Sequence, residues 1–416
     1  MDRERERLTV STTASAGLRG RRPAAEDLRV KGVSGPMLAV WGALFFNVLA
    51  FSANPTVVPI PRPVGQLLTQ GALVLALALA LAVNRRGVMR PNLVLVLLTM
   101  LSVVAVMASI HNEFVLGSTF RACRLAGFVL ILWLLTPWWG RQDMLLLRCH
   151  RRCLWFILGT VIAGAAIAPG MAFAFEGRLS GVLWPIPPTQ VAHYAAMLLG
   201  TSAVLWMCRV ITGRHMIVSL VATVAVLVGT HTRTALLAVV VGLVVAGASL
   251  FLGHARVRRT SAGMAVLGVV AATVFASEVT KWALRGQTTQ EASQLTGRTK
   301  VWSAVFDMPR PKIEELFGSG LSNQSFNGLP IDSNWVASYL DQGWFGIVVQ
   351  ATVILVLLLL AATRERGPQR AVALFIIVYC LVASFTETGL GTASPYLLDL
   401  TVAASLLVRE GQVSQR

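Results

Sequence analysis

Charged and strongly polar side chains are scarce in this 416-residue chain, so those that interrupt its apolar stretches are the first candidates for chemistry. Arg121 and Arg124 lie three apart in GSTFRACRLAGFVLILWLL, on one face of a helix. An arginine inside a membrane costs at least ~2.5 kcal/mol on insertion scales, so it faces a polar cavity or reaches back to the interface. Two readings fit the pair: snorkelling with an internal ion pair, or a wall that binds an anion. In EGRLSGVLWPIPPTQVAHYAAMLLG, Arg178 precedes a helix opened by Pro188, with Gln190 and His193 in its first turns. The positive end of that helix, together with Arg178, favours an anion, while His193 by itself reads most simply as a hydrogen-bonded packing residue. Arg233 opens another helix in THTRTALLAVVVG, with His231 two residues before it. Snorkelling would explain one such arginine.

Farther along, LTGRTKVWSAVF sets Val301, Trp302, Val305 and Phe306 on one face behind Arg298. That spacing predicts a short interfacial helix, with Trp302 placed to pin it to the membrane surface. The stretch LFGSGLSNQSFNGLPIDSNWVASYLDQGWFGIVV leads through a Gly- and Asn-rich turn to Asp332 and Ser333, just ahead of a helix. A helix N-cap is their default meaning, and a carboxylate at a cap can also accept a proton. Glu387 in the last outer loop and Asp399 within the last span are the remaining intramembrane or mouth-lining acids, for which pairing with an arginine is the simplest expectation. Guanidiniums acting in pairs can hold an anion through bidentate hydrogen bonds. No metal or other cofactor is expected: Cys149, His150 and Cys153 lack a credible fourth ligand, and the first outer segment, SANPTVVPIPRPVG, contains no acid. Neither are disulfides, because Cys123, Cys149, Cys153, Cys208 and Cys380 all lie in spans or on the cytoplasmic side.

The elements that must position these groups follow from composition. Hydrophobic residues make up 55% and charged residues only 13% of the chain, against ~25% charged in soluble domains. The chain reads as an all-α, polytopic integral membrane protein, which excludes a secreted disulfide scaffold, a Rossmann enzyme or a helix-turn-helix regulator as a description of the whole. Its +17 net charge would suggest nucleic acid in a soluble protein; here it records topology, and no nucleic-acid partner is expected. Hydropathy marks twelve spans between 37 and 408, the first over 37–56, the ninth over 262–277 and the last over 394–408. Of 36 basic residues, 25 fall in the tails and loops on the side that holds both termini and nine on the other, so both termini are cytoplasmic. Residues 1–36 read as a disordered basic tail, 409–416 as a short cytoplasmic tail, and 278–342 as one large extracytoplasmic loop. No cytoplasmic segment carries a P-loop or a Rossmann glycine pattern.

TRTALLA, GRTKVW, FGSGL and DSNWVASYLDQGWFG, in this order around a large outer loop, resemble the O-antigen ligase and O-antigen polymerase superfamily of bacterial membrane glycosyltransferases. The resemblance runs from about Arg178 to Leu407. It implies a metal-independent, inverting transfer of glycan from an undecaprenyl-pyrophosphate donor to an acceptor hydroxyl on a glycan, lipid or protein, at the outer face of the cytoplasmic membrane. It also implies that Arg233 and Arg298 hold the donor pyrophosphate; Arg178, Arg121 and Arg124 join them as further candidates. Where ligases of the family carry His-Asn followed eleven residues after the His by Gly, this chain has Asp332, Ser333 and then Gly343. Asp332 therefore takes the position of the proposed catalytic histidine, with His231 and His193 as substitute bases and Gln190 and Ser333 as lining residues. Two other classes compete with this enzyme: a flippase or transporter for lipid-linked glycans, and a non-catalytic partner of a polysaccharide assembly complex.

Overall fold

The computed structural model describes residues 35–408 except 53, 111–114, 252–255, 261–262, 264–297, 323 and 327. Residues 1–34 of the tail expected at 1–36, the tail at 409–416, nearly all of the expected ninth span and the first part of the large loop, 278–297, lie outside the described residues; Gly35 and Pro36 already belong to the first helix.

The described chain is mostly helical, and its strands are one two-residue antiparallel pair, β1 (Ser325–Phe326) and β2 (Leu329–Pro330). Among the described residues six helices are long and apolar enough to cross a membrane: α2 (Arg62–Val83), α3 (Leu93–Ile110), α4 (Val115–Leu135, continued by one 3-10 turn to Trp138), α8 (Gly213–Thr230), α9 (Arg233–Leu250) and α12 (Asn334–Thr363). Shorter apolar helices are α1 (Gly35–Asn47), α13 (Pro368–Ala383) and α14 (Pro395–Leu407). Between α4 and α8 come α5 (Leu145–Ile167), the single turn α6 (Pro169–Ala172) and α7 (Pro188–Met207); between α9 and α12 lie α10 (Arg298–Asp307) and α11 (Lys312–Phe317).

Helix α2 shows how these sequences divide lipid-type surface from core. Gly65, Thr69, Ala72, Ala76 and Ala80 are its buried residues, while Leu67, Val74, Leu75 and Leu81 stay exposed. The small side chains recur every three or four positions and let the backbone approach α1 and α4 closely. Helix α7 is the opposite case: from Val191 to Leu198 every residue is buried, because α5, α8, α9 and α13 pack around it. A helix enclosed in this way can carry Gln190, His193 and Tyr194 without facing lipid.

Helix α12 bends at Gly343, where φ is 63° and ψ −163°. A β-carbon there would sit 2.4 Å from the Leu316 carbonyl carbon, so only glycine lets α11 and α12 meet. The FGSGL turn closes the same junction: Ser319 N and Gly320 N donate to the carbonyls of Leu340 and Asp341 at 3.1 and 3.0 Å, satisfying the last acceptors of the first half of α12. The short helix expected behind Arg298 forms as α10. Its apolar face does not stay free for a membrane surface, since Val305, with Val301 and Trp302, packs against Ile331, Val336, Ala337, Tyr339 and Leu340. Only Phe306 remains exposed. The expected loop up to 342 therefore ends in nine residues of helix, 334–342, before the apolar part of α12 begins.

Candidate functional site

At the N-terminus of α12 the DSN triplet divides three tasks. Asp332 accepts a hydrogen bond from Arg298 Nε at 3.1 Å, with 40% and 27% of the two side chains exposed, which docks the start of α10 onto α12. Ser333 occupies the N-cap position as expected, but its hydroxyl makes no capping hydrogen bond; its carbonyl accepts from Ala337 N at 3.0 Å. Asn334, buried, fastens the loop between α13 and α14. Its Oδ1 accepts from Gly389 N (3.2 Å) and Leu390 N (2.8 Å), its backbone N–H donates to Ser384 O (2.9 Å), and its Nδ2 donates to Gln350 Oε1 (2.7 Å). Trp335 Nε1 donates to Ser384 Oγ at 3.1 Å and Gln342 Nε2 to Gly391 O at 2.8 Å, so α12 holds this loop at both ends.

That loop carries Glu387. Burial pushes its carboxyl up to about 7, Asp332 adds to the rise, and the guanidiniums of Arg298 and Arg178 oppose it. The carboxylate makes no hydrogen bond or ion pair among the described residues. Next to it, Thr386 Oγ1 donates to Thr234 Oγ1 at 2.8 Å, linking the loop to the first turn of α9, which Arg233 opens. Arg178 is held by the turn before α9: its Nε donates to Thr230 O at 3.0 Å and its Nη2 to Thr232 Oγ1 at 3.3 Å. Burial lowers the Arg178 pKa, with Glu176 and Glu387 opposing the fall. His231 terminates α8 in a left-handed conformation (φ 51°) and sets its Nδ1 3.2 Å from Gly229 O. Arg178, Arg298, Asp332 and Glu387 thus form one electrostatic group, and the 230–234 turn brings His231 and Arg233 to its border.

Arg121 and Arg124, grouped with those arginines in the sequence, belong to another part of the molecule. They line a cavity of about 480 Å³ together with Gln190, His193, Gln324, Thr388 and Glu387. The expected internal ion pair is replaced by carbonyl contacts: Arg124 donates to Asn47 O (2.6 Å) and Asn47 Oδ1 (3.3 Å), and Arg121 Nη1 donates to Leu321 O (3.4 Å). Gln190 also braces backbone, accepting from Ala50 N at 2.8 Å and donating to Val48 O at 3.0 Å. The carbonyls lie where α1 ends and leaves acceptors without helical partners, which is why an amide and a guanidinium converge on 47–50. Glu387 is the acid common to the cavity and the arginine group.

Behind the cavity wall lies a feature that the sequence reading assigned otherwise. Asp399 on α14 pairs with no arginine; its two oxygens lie 2.9 Å from His150 Nε2 and 2.8 Å from His193 Nε2, all three side chains being 2% exposed. His150, read as part of a cytoplasmic loop beside Cys149 and Cys153, is inside α5 and receives Trp41 Nε1 at 3.4 Å on Nδ1. The buried face of α5 runs His150, Cys153, Leu154, Ile157 and Val161, a helical spacing that was present in LLLRCHRRCLWFILGTV. His193 is ringed by Tyr194, Tyr379 and Tyr396, the last with its centroid 4.2 Å away. Its packing role holds, and it also lines the cavity. Among the described residues no cluster of three or more His, Cys, Asp or Glu is arranged to hold a metal ion.

The helical fold with six potential membrane spans is compatible with an integral membrane protein. No family model matches the chain, and a search of curated proteins finds no match.

Proposed function

We propose that this protein is an O-antigen ligase- or polymerase-like membrane glycosyltransferase, moving glycan from a polyprenyl-pyrophosphate donor to an acceptor hydroxyl without a metal. The observation that carries the reading is the convergence of Arg178 and Arg298 with two carboxylates, Asp332 and Glu387, beside a polar cavity. Breaking the bond between the sugar and pyrophosphate leaves negative charge on the departing oxygen, and fixed guanidiniums in a partly dry site stabilise it as it forms. Arg233, at the first turn of α9, borders the same group. Arg121 and Arg124 lie on the cavity side, so in this reading they face the acceptor or the lipid-linked sugar rather than the pyrophosphate.

The reading includes twelve spans, both termini in the cytoplasm of a bacterium and the 278–342 loop outside. Six helices of membrane-spanning length among the described residues, and the uneven distribution of basic residues along the chain, support this reading. The site then opens on the extracytoplasmic face, where polyprenyl-linked glycans present their sugars.

The test is turnover by the purified protein in nanodiscs supplied with a polyprenyl-pyrophosphate oligosaccharide and a panel of hydroxyl acceptors. Release of the carrier lipid that survives chelator and is lost in Arg298→Ala is the expected result. Donor transfer between leaflets without carrier release would instead mark a transporter, and neither activity would mark a non-catalytic partner.

A further inference from the structure

We propose that Glu387 is the general base of this transfer, that the cavity it borders with Gln190, Gln324 and Thr388 is the acceptor subsite, and that Asp332 is a positioning residue for Arg298. The inference rests on the glycosyltransferase reading above.

Three observations separate the two acids. Asp332 is committed: its Oδ2 is the acceptor for Arg298 Nε at 3.1 Å, so its carboxylate is shared with a guanidinium that the leaving group needs. Glu387 has no such partner among the described residues, and it alone of the two lines the cavity. Its loop is also immobilised, by Asn334 and Trp335 on one side, by Gln342 on the other, and by Thr388 Oγ1 donating to Gln324 Oε1 at 2.6 Å. A base must present an unengaged lone pair at hydrogen-bond range of the proton it takes, and must be held there before the substrate arrives.

The step balances without a further reagent. As the acceptor oxygen forms its bond to the anomeric carbon, its proton passes to the Glu387 carboxylate. The bond from that carbon to the pyrophosphate oxygen breaks, its electron pair leaving on the oxygen beside Arg298 and Arg178. Acceptor and pyrophosphate occupy opposite sides of the sugar, which gives inversion, and the two subsites that meet at Glu387 supply that arrangement. The charged or titratable groups facing Glu387 are Asp332, Arg298 and Arg178 at the arginine group, Tyr379 and Tyr396 on α13 and α14, and Arg121, Arg124 and His193 around the cavity. With burial the largest influence, a carboxyl held near 7 is a stronger base than an ordinary glutamate at neutral pH.

The experiment uses full-length protein in nanodiscs, with carrier release measured from pH 5 to 9, roughly the range bracketing neutral titration, for wild type, Glu387→Gln, Glu387→Asp and Asp332→Asn. Binding of labelled donor lipid is measured on the same samples. Expected are a wild-type rate that climbs with pH through a limb near 7, loss of about 10²-fold or more in kcat for Glu387→Gln with donor affinity kept, and an intermediate rate for Glu387→Asp. Asp332→Asn keeps the limb and raises KM for donor. Wild-type release with an unaffected Glu387→Gln, or a limb that disappears only in Asp332→Asn, overturns the assignment of the base. Wild-type protein that releases no carrier from any donor overturns the transfer reading and the base with it. Should Glu387→Gln fail to fold, the limb and rate of Glu387→Asp decide the question.

Discussion

Two regions of this protein bring carboxylates and cations together, and they differ in how completely those charges are answered. In the bundle interior, Asp399 gives one oxygen to His150 and the other to His193 at 2.9 and 2.8 Å, and helices α5, α7 and α14 are joined through side chains that water scarcely reaches. At the junction of α10, α12 and the α13–α14 loop, Asp332 and Arg298 are paired while partly exposed, and Glu387 sits among charges without a direct partner. A buried acid with both oxygens engaged is fixed and gives nothing to a substrate. An acid that is half-buried, held by its backbone and left without a hydrogen-bond donor is in the state that proton transfer requires. The residue types are nearly the same; the close ionic contacts that Asp399 makes and Glu387 lacks separate the two regions.

The sharpest way to break that contrast is to remove each acid. Asp399→Ala leaves two histidines facing an empty buried position, and a loss of about 3–5 kcal/mol in stability is expected, read as a large drop in the thermal unfolding midpoint of the detergent-held protein. A fall below ~1 kcal/mol would mean that the pair is dispensable. Glu387→Gln should leave that midpoint nearly unchanged at neutral pH and cost about 10²- to 10⁴-fold in turnover. Arg298→Ala removes leaving-group stabilisation, with about 10²- to 10³-fold lost from kcat, measured as carrier release at saturating donor.

Smaller effects sharpen the comparison. Folded protein keeps the Glu387 proton up to about 7, whereas the unfolded chain releases it near 4.5. Folding therefore takes up a proton between those values, so stability from this group declines as pH rises across the window; the slope of the unfolding midpoint against pH should flatten in Glu387→Gln. Gly343→Ala forces a β-carbon against the Leu316 backbone at a positive φ, and about 1–3 kcal/mol of destabilisation is expected. Asn47→Ala removes one of the two contacts that Arg124 makes at the end of α1; about 1 kcal/mol should be lost, with carrier release little changed.

Much of the helical layout was legible because apolar runs and their flanking arginines depend on local sequence. Among the described residues six helices of membrane-spanning length stand where hydropathy placed spans, and the helix behind Arg298 follows from the four-residue spacing of Val301 and Val305. The sequence named the residues of the candidate site but not their arrangement. Arg121 and Arg124 look equivalent to Arg178 and Arg298 in sequence, and only folded contacts, Arg124 with the end of α1 and Arg298 with Asp332 ahead of α12, assign them to different sides of Glu387. Asp399 was expected to find an arginine, the simplest reading of an acid within a span; its partners lie 249 and 206 positions away on α5 and α7, a distance that no local pattern encodes. His150 was placed in a loop because arginines surround it in RCHRRC. The helix tolerates them by turning the histidine inward and keeping Arg148 and Arg152 at partly or well exposed positions. Glu387 was noticed as a mouth-lining acid, but its lack of a partner is a property of the folded loop that Asn334 holds.

The most direct measurement compares Glu387→Gln with Asp399→Asn in one preparation, recording carrier release and the thermal unfolding midpoint for each beside wild type. The expected result is a double separation: Glu387→Gln keeps the midpoint and loses release, while Asp399→Asn loses much of the midpoint and, at temperatures where it stays folded, keeps most of its release. The reverse pattern, with Asp399 needed for turnover in folded protein and Glu387 not, would contradict it and move the chemistry to the buried histidines.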